Sequence, residues 1–172
     1  MRYRRKSCFN LCSRVKTDGR AVIAGTAIVL AFGLLSRFLS GSPLYMLRLT
    51  GISGKIPGVW FFSLVWCLWY AFLGFSFGFV LGSHCPGRAV HKYKGSLWFV
   101  LMLVFNLVWY PLFFRAGAIF TSLVDAAIIL LFCVLTALEY YKVCKGIGIL
   151  MFCHGFWLFW CLTINCIAFF SI

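Results

Sequence analysis

Five long apolar runs separated by short polar or basic stretches organise this chain. They lie at roughly 21–39, 58–81, 97–114, 120–140 and 146–169, and charged residues are rare within them. Each run approaches or exceeds the ~20 residues that an α-helix needs to cross the hydrocarbon core of a bilayer. The pattern predicts an all-α membrane protein, a five-transmembrane-helix bundle formed as one domain over residues 21–172. A basic segment, residues 1–20, precedes it. A secretory signal also begins basic, but this basic region is long and no clear small-residue cleavage site follows the first run, so the run reads as a retained helix.

The connections differ in character. The stretch Ser40 to Ile56 is the longest, rich in Gly and Ser, with Pro43 and Tyr45. Connections of this length commonly serve as lids or binding loops. The second connector is hydrophilic, with His84, Cys85, Arg88, His91, Lys92 and Lys94. Residues 115–117 read as a tight turn and 141–145 as a short basic one.

Five spans put the termini on opposite sides. Arg2, Arg4, Arg5, Lys6, Arg14, Lys16 and Arg20 share one side with Arg88, Lys92, Lys94, Lys142 and Lys145; only Arg37, Arg48, Lys55 and Arg115 fall on the other. The positive-inside rule then places the N-terminus in the cytoplasm and the long loop outside. Either a bacterial-type plasma membrane or a mitochondrial outer membrane suits such a chain.

Composition sharpens this picture. The 172 residues are 63% hydrophobic and only 11% charged, against about 25% charged in soluble domains. Too little polar surface exists to face water, so lipid is the solvent for most of the chain. Sixteen basic against three acidic residues give a net charge of +13. Such an excess often marks a nucleic-acid binder, but here the cations flank apolar runs, and no nucleic-acid partner is expected. The nine cysteines form no C-x-x-C pair or zinc spacing. Cys67, Cys133, Cys153, Cys161 and Cys166 fall inside apolar runs and read as small hydrophobes rather than a disulfide framework.

Aromatic residues make up 20% of the chain, and their spacing is the main functional signal. Trp66, Tyr70, Leu73 and Phe77 share one helical face. So do Asn106, Trp109 and Phe113, and likewise His154, Trp157, Cys161 and Asn165. Three helices therefore each present a tryptophan on a stripe that also carries a polar group. Membrane tryptophans and tyrosines usually form belts at the water interface, which accounts for Trp60, Trp98, Tyr140 and Tyr141. Trp66, Trp109 and Trp157 lie deeper and are expected to line one aromatic cavity, with Cys161 among its ligand-binding residues; plain helix packing is the alternative. An aromatic cavity suits a planar apolar ligand. Burying ~300 Å² of ligand yields roughly 7 kcal/mol, of which rigid-body ordering removes about 4 kcal/mol or more. Oriented polar contacts are then needed, with Asn106, Asn165 and the Tyr70 hydroxyl as candidates.

Asp125 is the acid set well inside a span. A carboxylate there costs about 2.5–3.5 kcal/mol on insertion scales, so it should face protein and find a partner, with Arg115 nearby in sequence. Glu139 should pair with Lys142 one turn on. Gly74, Gly78 and Gly82 form two small-xxx-small steps, suited either to packing within the bundle or to a dimer interface. His84 and His91 lack a third spaced ligand, so no metal site is expected. His154 reads as a hydrogen-bonded structural histidine, with porphyrin-iron ligation as the alternative. No nucleophile elbow, phosphate loop or paired carboxylates occur, so nothing marks a hydrolase or nucleotide site, and no catalytic residue or required cofactor is assigned.

Three blocks carry a resemblance. Pro57-Gly58 followed by Val65-Trp66, Tyr70 and Gly74, then Asn106-Leu107-Val108-Trp109-Tyr110-Pro111-Leu112-Phe113-Phe114 with Asp125 beyond it, and Ile149-Leu150 with Trp157 and Asn165 together resemble the TspO/MBR family of tryptophan-rich sensory proteins. Its animal member is the translocator protein, or peripheral-type benzodiazepine receptor. The resemblance covers roughly Leu44 to the C-terminus. It implies a five-helix bundle, frequent homodimers and a pocket closed by the first loop. It also implies binding of porphyrins (haem included), benzodiazepine-type drugs and, in animals, cholesterol. Carried to matching positions, the ligand-facing residues are Trp66, Tyr70, Asn106, Trp109 and Trp157. A receptor or sensor for such a ligand is the expected function. A small porphyrin transporter and a light-dependent porphyrin-degrading enzyme are the alternatives. The chain departs from the family pattern at Gly54-Lys55-Ile56-Pro57 and at Cys153-His154, and the C-terminal cholesterol-recognition segment is missing.

Overall fold

The computed structural model describes residues 16–39, 59–84 and 87–170, with side chains from Ser63 onward in the second helix. Five helices dominate: α1 (Gly19–Leu39), α2 (Val59–Gly82), α3 (Ala89–Tyr110), α4 (Ile119–Val143) and α5 (Lys145–Phe170). All are long and apolar enough to cross a membrane. The lid expected over Ser40 to Ile56 and most of the basic N-terminal segment lie outside the described residues.

The helices close into a ring. α1 packs on α2, α2 also on α5, α5 on α4, α4 on α3, and α3 back on α1, with α2 touching α3 across the interior. The exterior is apolar: Phe38, Phe156 and Phe170 are almost fully exposed. The interior holds the polar groups, with Ser36, Asn106, Ser122, Thr136, His154 and Asn165 essentially inaccessible. This inversion of the water-soluble pattern is what a lipid environment selects, since apolar surface costs nothing there and polar groups must be satisfied internally.

Glycines set the tightest seam. A Cβ on Gly78 would lie 2.5 Å from the Ala21 carbonyl oxygen and 2.7 Å from Val22 Cα; one on Gly74 would meet Thr26 Cα at 2.6 Å. Gly25 faces Gly78 in return, and Gly82 faces Ala21 and Asp18. The Gly74, Gly78, Gly82 stripe is therefore covered by α1 of the same chain, and a homodimer would have to use another surface. The seam is clasped at its end by Asp18 N–H donating to the Gly82 carbonyl (3.1 Å) and His84 N–H donating to the Lys16 carbonyl (3.1 Å).

The most visible departure from expectation is α3, which begins at Ala89 rather than near 97. Hydropathy alone misplaces this boundary because the first two turns are hydrophilic. They are helical because they tie neighbouring helix ends together. Arg88 donates to the Val143 carbonyl at 2.8 Å, and Lys92 donates to the Leu81 and Ser83 carbonyls. Both cations thus meet the carbonyl-rich C-termini of α4 and α2, where the helix dipole favours positive charge. His91, placed by the sequence in a loop, sits on this helix with Nδ1 2.6 Å from Glu139. Lys142 donates to the other Glu139 oxygen at 3.0 Å, the expected i, i+3 pair.

At its other end α3 runs into one π-helical turn, Pro111–Arg115. Proline lacks an N–H and disturbs the regular hydrogen-bond ladder, and Ala116 N–H reaches back to the Pro111 carbonyl at 2.9 Å. Gly117, at φ 62°, turns the chain into α4.

Two side-chain expectations are corrected. Tyr140, expected at the interface, is fully buried; its ring lies near Phe99 and under Gly95, where a Cβ would sit 2.6 Å from it. Cys144, the single residue between α4 and α5, is disulfide-bonded, whereas Cys67, Cys133, Cys153, Cys161 and Cys166 are free.

Candidate functional site

The three aromatic stripes meet in the half of the bundle away from the basic end. Trp66 of α2 is the hub. Its ring centroid lies 6.2 Å from Trp109 of α3, 6.1 Å from Trp157 of α5, 5.9 Å from Tyr70 and 5.4 Å from Tyr110. Trp109 continues the cluster by stacking on Phe113 at 5.5 Å and meeting Tyr110 edge-on at 5.2 Å. Each pair of this kind is worth about 0.5–1.5 kcal/mol beyond area burial. The i, i+3/i+4 spacing on each helix produces this convergence, because it holds every ring on the inward face.

A polar contact braces the hub. Tyr70 donates its hydroxyl hydrogen to the Asn106 side-chain carbonyl at 3.1 Å, linking α2 to α3. That leaves the Asn106 amide nitrogen and the Trp109 indole N–H buried without a hydrogen-bond partner among the described residues. Both are donors. A buried orphan donor costs about 1–3 kcal/mol, so the cluster presents two groups ready to meet an acceptor.

Deeper along α5 the expected residues separate from the hub. Asn165 donates to the Cys161 carbonyl at 2.8 Å and accepts from Ser122 of α4 at 3.1 Å. Cys161 is buried and does not line the cleft between α1, α2 and α3. Asp125 is buried with one carboxylate oxygen unpartnered, and no ion pair to Arg115 forms among the described residues. His154 is fully buried; neither ring nitrogen finds a hydrogen bond among the described residues, and its ring lies 4.9 Å from that of Trp69. The hydrogen-bonded histidine expected from the sequence is thus not what packs there. No group of three potential metal ligands occurs among the described residues.

Among the described residues a cleft of about 70 Å³ opens between α1, α2 and α3. Leu30, Gly33, Leu34 and Arg37 line it from α1, Ser63, Trp66, Cys67 and Tyr70 from α2, and Tyr110 from α3. Ligand sites for drug-sized molecules span about 300–1,000 Å³. This cleft among the described residues is narrower than that, and the tryptophans pack on one another beside it. Trp66 and Tyr70 border the cleft; Asn106, Trp109 and Trp157 stand behind them.

Sequence reasoning missed Tyr110 and the α1 wall. Tyr110 lies one turn beyond Asn106 on the same face, so its spacing carried the signal. α1 offers no aromatic stripe to reveal its part. Gly33 explains how α1 gets close enough, since a Cβ there would sit 2.6 Å from the Tyr70 ring.

The family comparison is decisive. Residues 25–169 match the model of the TspO/MBR family, five helices with their aromatic blocks included. The chain belongs to the TspO/MBR family. The TspO match begins well inside α1, so it takes in the α1 wall as well as the aromatic cluster. A 101-residue segment is 30% identical to a protein named tryptophan-rich protein TspO from Chlorobaculum tepidum. That segment covers 59% of this chain and 63% of the relative, so the chain spans less than two thirds of that TspO's length. This is an integral, multi-pass membrane protein of the TspO/MBR type.

Proposed function

We propose that this protein is a membrane receptor or sensor that binds a planar apolar ligand, such as a porphyrin, against the Trp66 hub. The observation that carries this reading is the meeting of three indoles and two phenols, from three separate helices, beside an open cleft. Flat π-faces recognise flat π-systems. The orphan donors of Asn106 and Trp109 supply the orientation that stacking lacks. Binding on this reading parts the rings, because the cleft at about 70 Å³ is too small for the whole ligand. The N-terminus faces the cytoplasm, since Lys16, Arg20, Arg88, Lys92, Lys94, Lys142 and Lys145 gather at one end of the bundle and, among the described residues, Arg37 and Arg115 at the other. Transport draws less support: the π-helical turn and Pro111 stand at the end of α3, not at midspan where transporters break their helices.

Titration of the purified protein with protoporphyrin should quench tryptophan fluorescence saturably. Trp66→Phe combined with Trp157→Phe keeps an aromatic ring at each position and should weaken binding at least tenfold while leaving helicity by circular dichroism unchanged. Unaltered affinity in the double variant would remove the hub from the site.

A further inference from the structure

We infer that the cleft selects a planar ligand carrying a carboxylate, with Arg37 as the residue that recognises the acid. This inference rests on the ligand-binding reading above and narrows it from any flat apolar molecule to an acidic one.

The lining is asymmetric. Leu30, Leu34, Trp66, Tyr70 and Tyr110 provide apolar and aromatic walls, and among the described residues Arg37 is the charged one in the lining. Arg37 sits in the last turn of α1, two turns beyond Leu30, so cation and floor are about 10 Å apart along the helix. A ring system laid against Trp66 and Tyr70 would bring a short acidic arm to the guanidinium. The whole chain has three acidic residues, Asp18, Asp125 and Glu139, and none of them lines the cleft. Glu139 is engaged by His91 and Lys142 at the opposite end of the bundle, and Asp18 accepts from the Arg20 N–H at the start of α1. The protein thus sets a fixed cation beside an aromatic cleft and no carboxylate of its own in the lining. A guanidinium has five donors in a planar fork, so a contact elsewhere does not exhaust it. Charge-assisted bidentate pairing to a carboxylate is stronger than a neutral hydrogen bond, most of all at the edge of a low-dielectric medium.

The competing explanation is that Arg37 merely extends to the headgroup region, as arginines near helix ends do. Protoporphyrin and its dimethyl ester separate the two, because the ester keeps the ring and loses the acid. Binding of each is followed by fluorescence quenching in detergent for the wild type, Arg37→Gln and Arg37→Lys. The expected result is that the wild type binds the diacid about tenfold more tightly than the ester. Arg37→Gln should lose most of that preference with ester affinity unchanged within twofold, and Arg37→Lys should fall between. Equal wild-type affinity for the two compounds overturns the inference without any variant having to fold. Parallel weakening of both in Arg37→Gln also overturns it, by showing that Arg37 only packs. If the wild type binds neither compound, the porphyrin-receptor reading itself falls. Tight ester binding without preference leaves that reading standing and sinks only the role of Arg37.

Discussion

Gly78→Ala should lower the unfolding temperature of the detergent-solubilised protein by roughly 5–10 °C. The added methyl would have its Cβ 2.5 Å from the Ala21 carbonyl oxygen and 2.7 Å from Val22 Cα. Both are backbone atoms, so no side-chain rotation relieves the overlap and α1 must move off α2. Overpacking of this kind costs about 1–3 kcal/mol, and each kcal/mol shifts the midpoint of a chain this size by about 2–4 °C. Gly155→Ala is the control. Its Cβ would meet Cys133 Sγ at 3.9 Å, an ordinary contact, and alanine is the better helix former by about 1 kcal/mol. That variant should melt at or above the wild-type temperature. Were Gly78→Ala to melt like Gly155→Ala, the seam would not be holding α1 in place. The consequence reaches the site, because α1 supplies Leu30, Gly33, Leu34 and Arg37 to the cleft. Ligand affinity should fall with the melting temperature in Gly78→Ala and stay level in Gly155→Ala.

The parts legible in the sequence are those in which one helix face repeats a single kind of signal. Length and hydropathy are enough to reveal five spans, since lipid demands both. The stripes through Trp66, Trp109 and Trp157 point inward as their spacing implies. The glycine repeat is readable as a close-approach seam, but not its partner: nothing in Gly74, Gly78 and Gly82 alone says that Gly25 and Thr26 of the same chain cover them. What escapes the sequence depends on tertiary contacts. The first two turns of α3 look like a loop because they are hydrophilic and the α4 end that holds them, through Val143 and Glu139, is distant in sequence. Asp125 lies nearest in sequence to Arg115, yet the turn between them carries the arginine outward to an exposed position. The width of the cleft is the least readable quantity. Ring spacing says that aromatic groups converge, and only packing decides whether they enclose space or fill it.

That distinction makes Trp66→Ala the sharpest probe of the cluster. Trp66 is 6% exposed and touches four other aromatic rings. Truncating a buried tryptophan costs about 3–5 kcal/mol, part in lost transfer energy and part in the void left behind, so the unfolding temperature should drop by roughly 10 °C or more. Phe156→Ala removes a ring that is 77% exposed to the lipid side and should change stability by less than about 0.5 kcal/mol. The void would be lined by Tyr70, Trp109, Tyr110 and Trp157 and would join the existing cleft, which Trp66 borders. Apolar voids of this kind stay dry and accept small aromatic guests. Free indole should therefore raise the melting temperature of Trp66→Ala by several degrees and leave that of the wild type unmoved. A variant that loses stability but ignores indole would mean that the surrounding rings had collapsed into the gap. The cluster would then be a deformable core that a ligand must reshape, and porphyrin binding should be slow and strongly temperature-dependent. Rescue by indole would instead mean that four rings hold their positions around an absent fifth, so that a ligand need displace only Trp66 to gain its place among them.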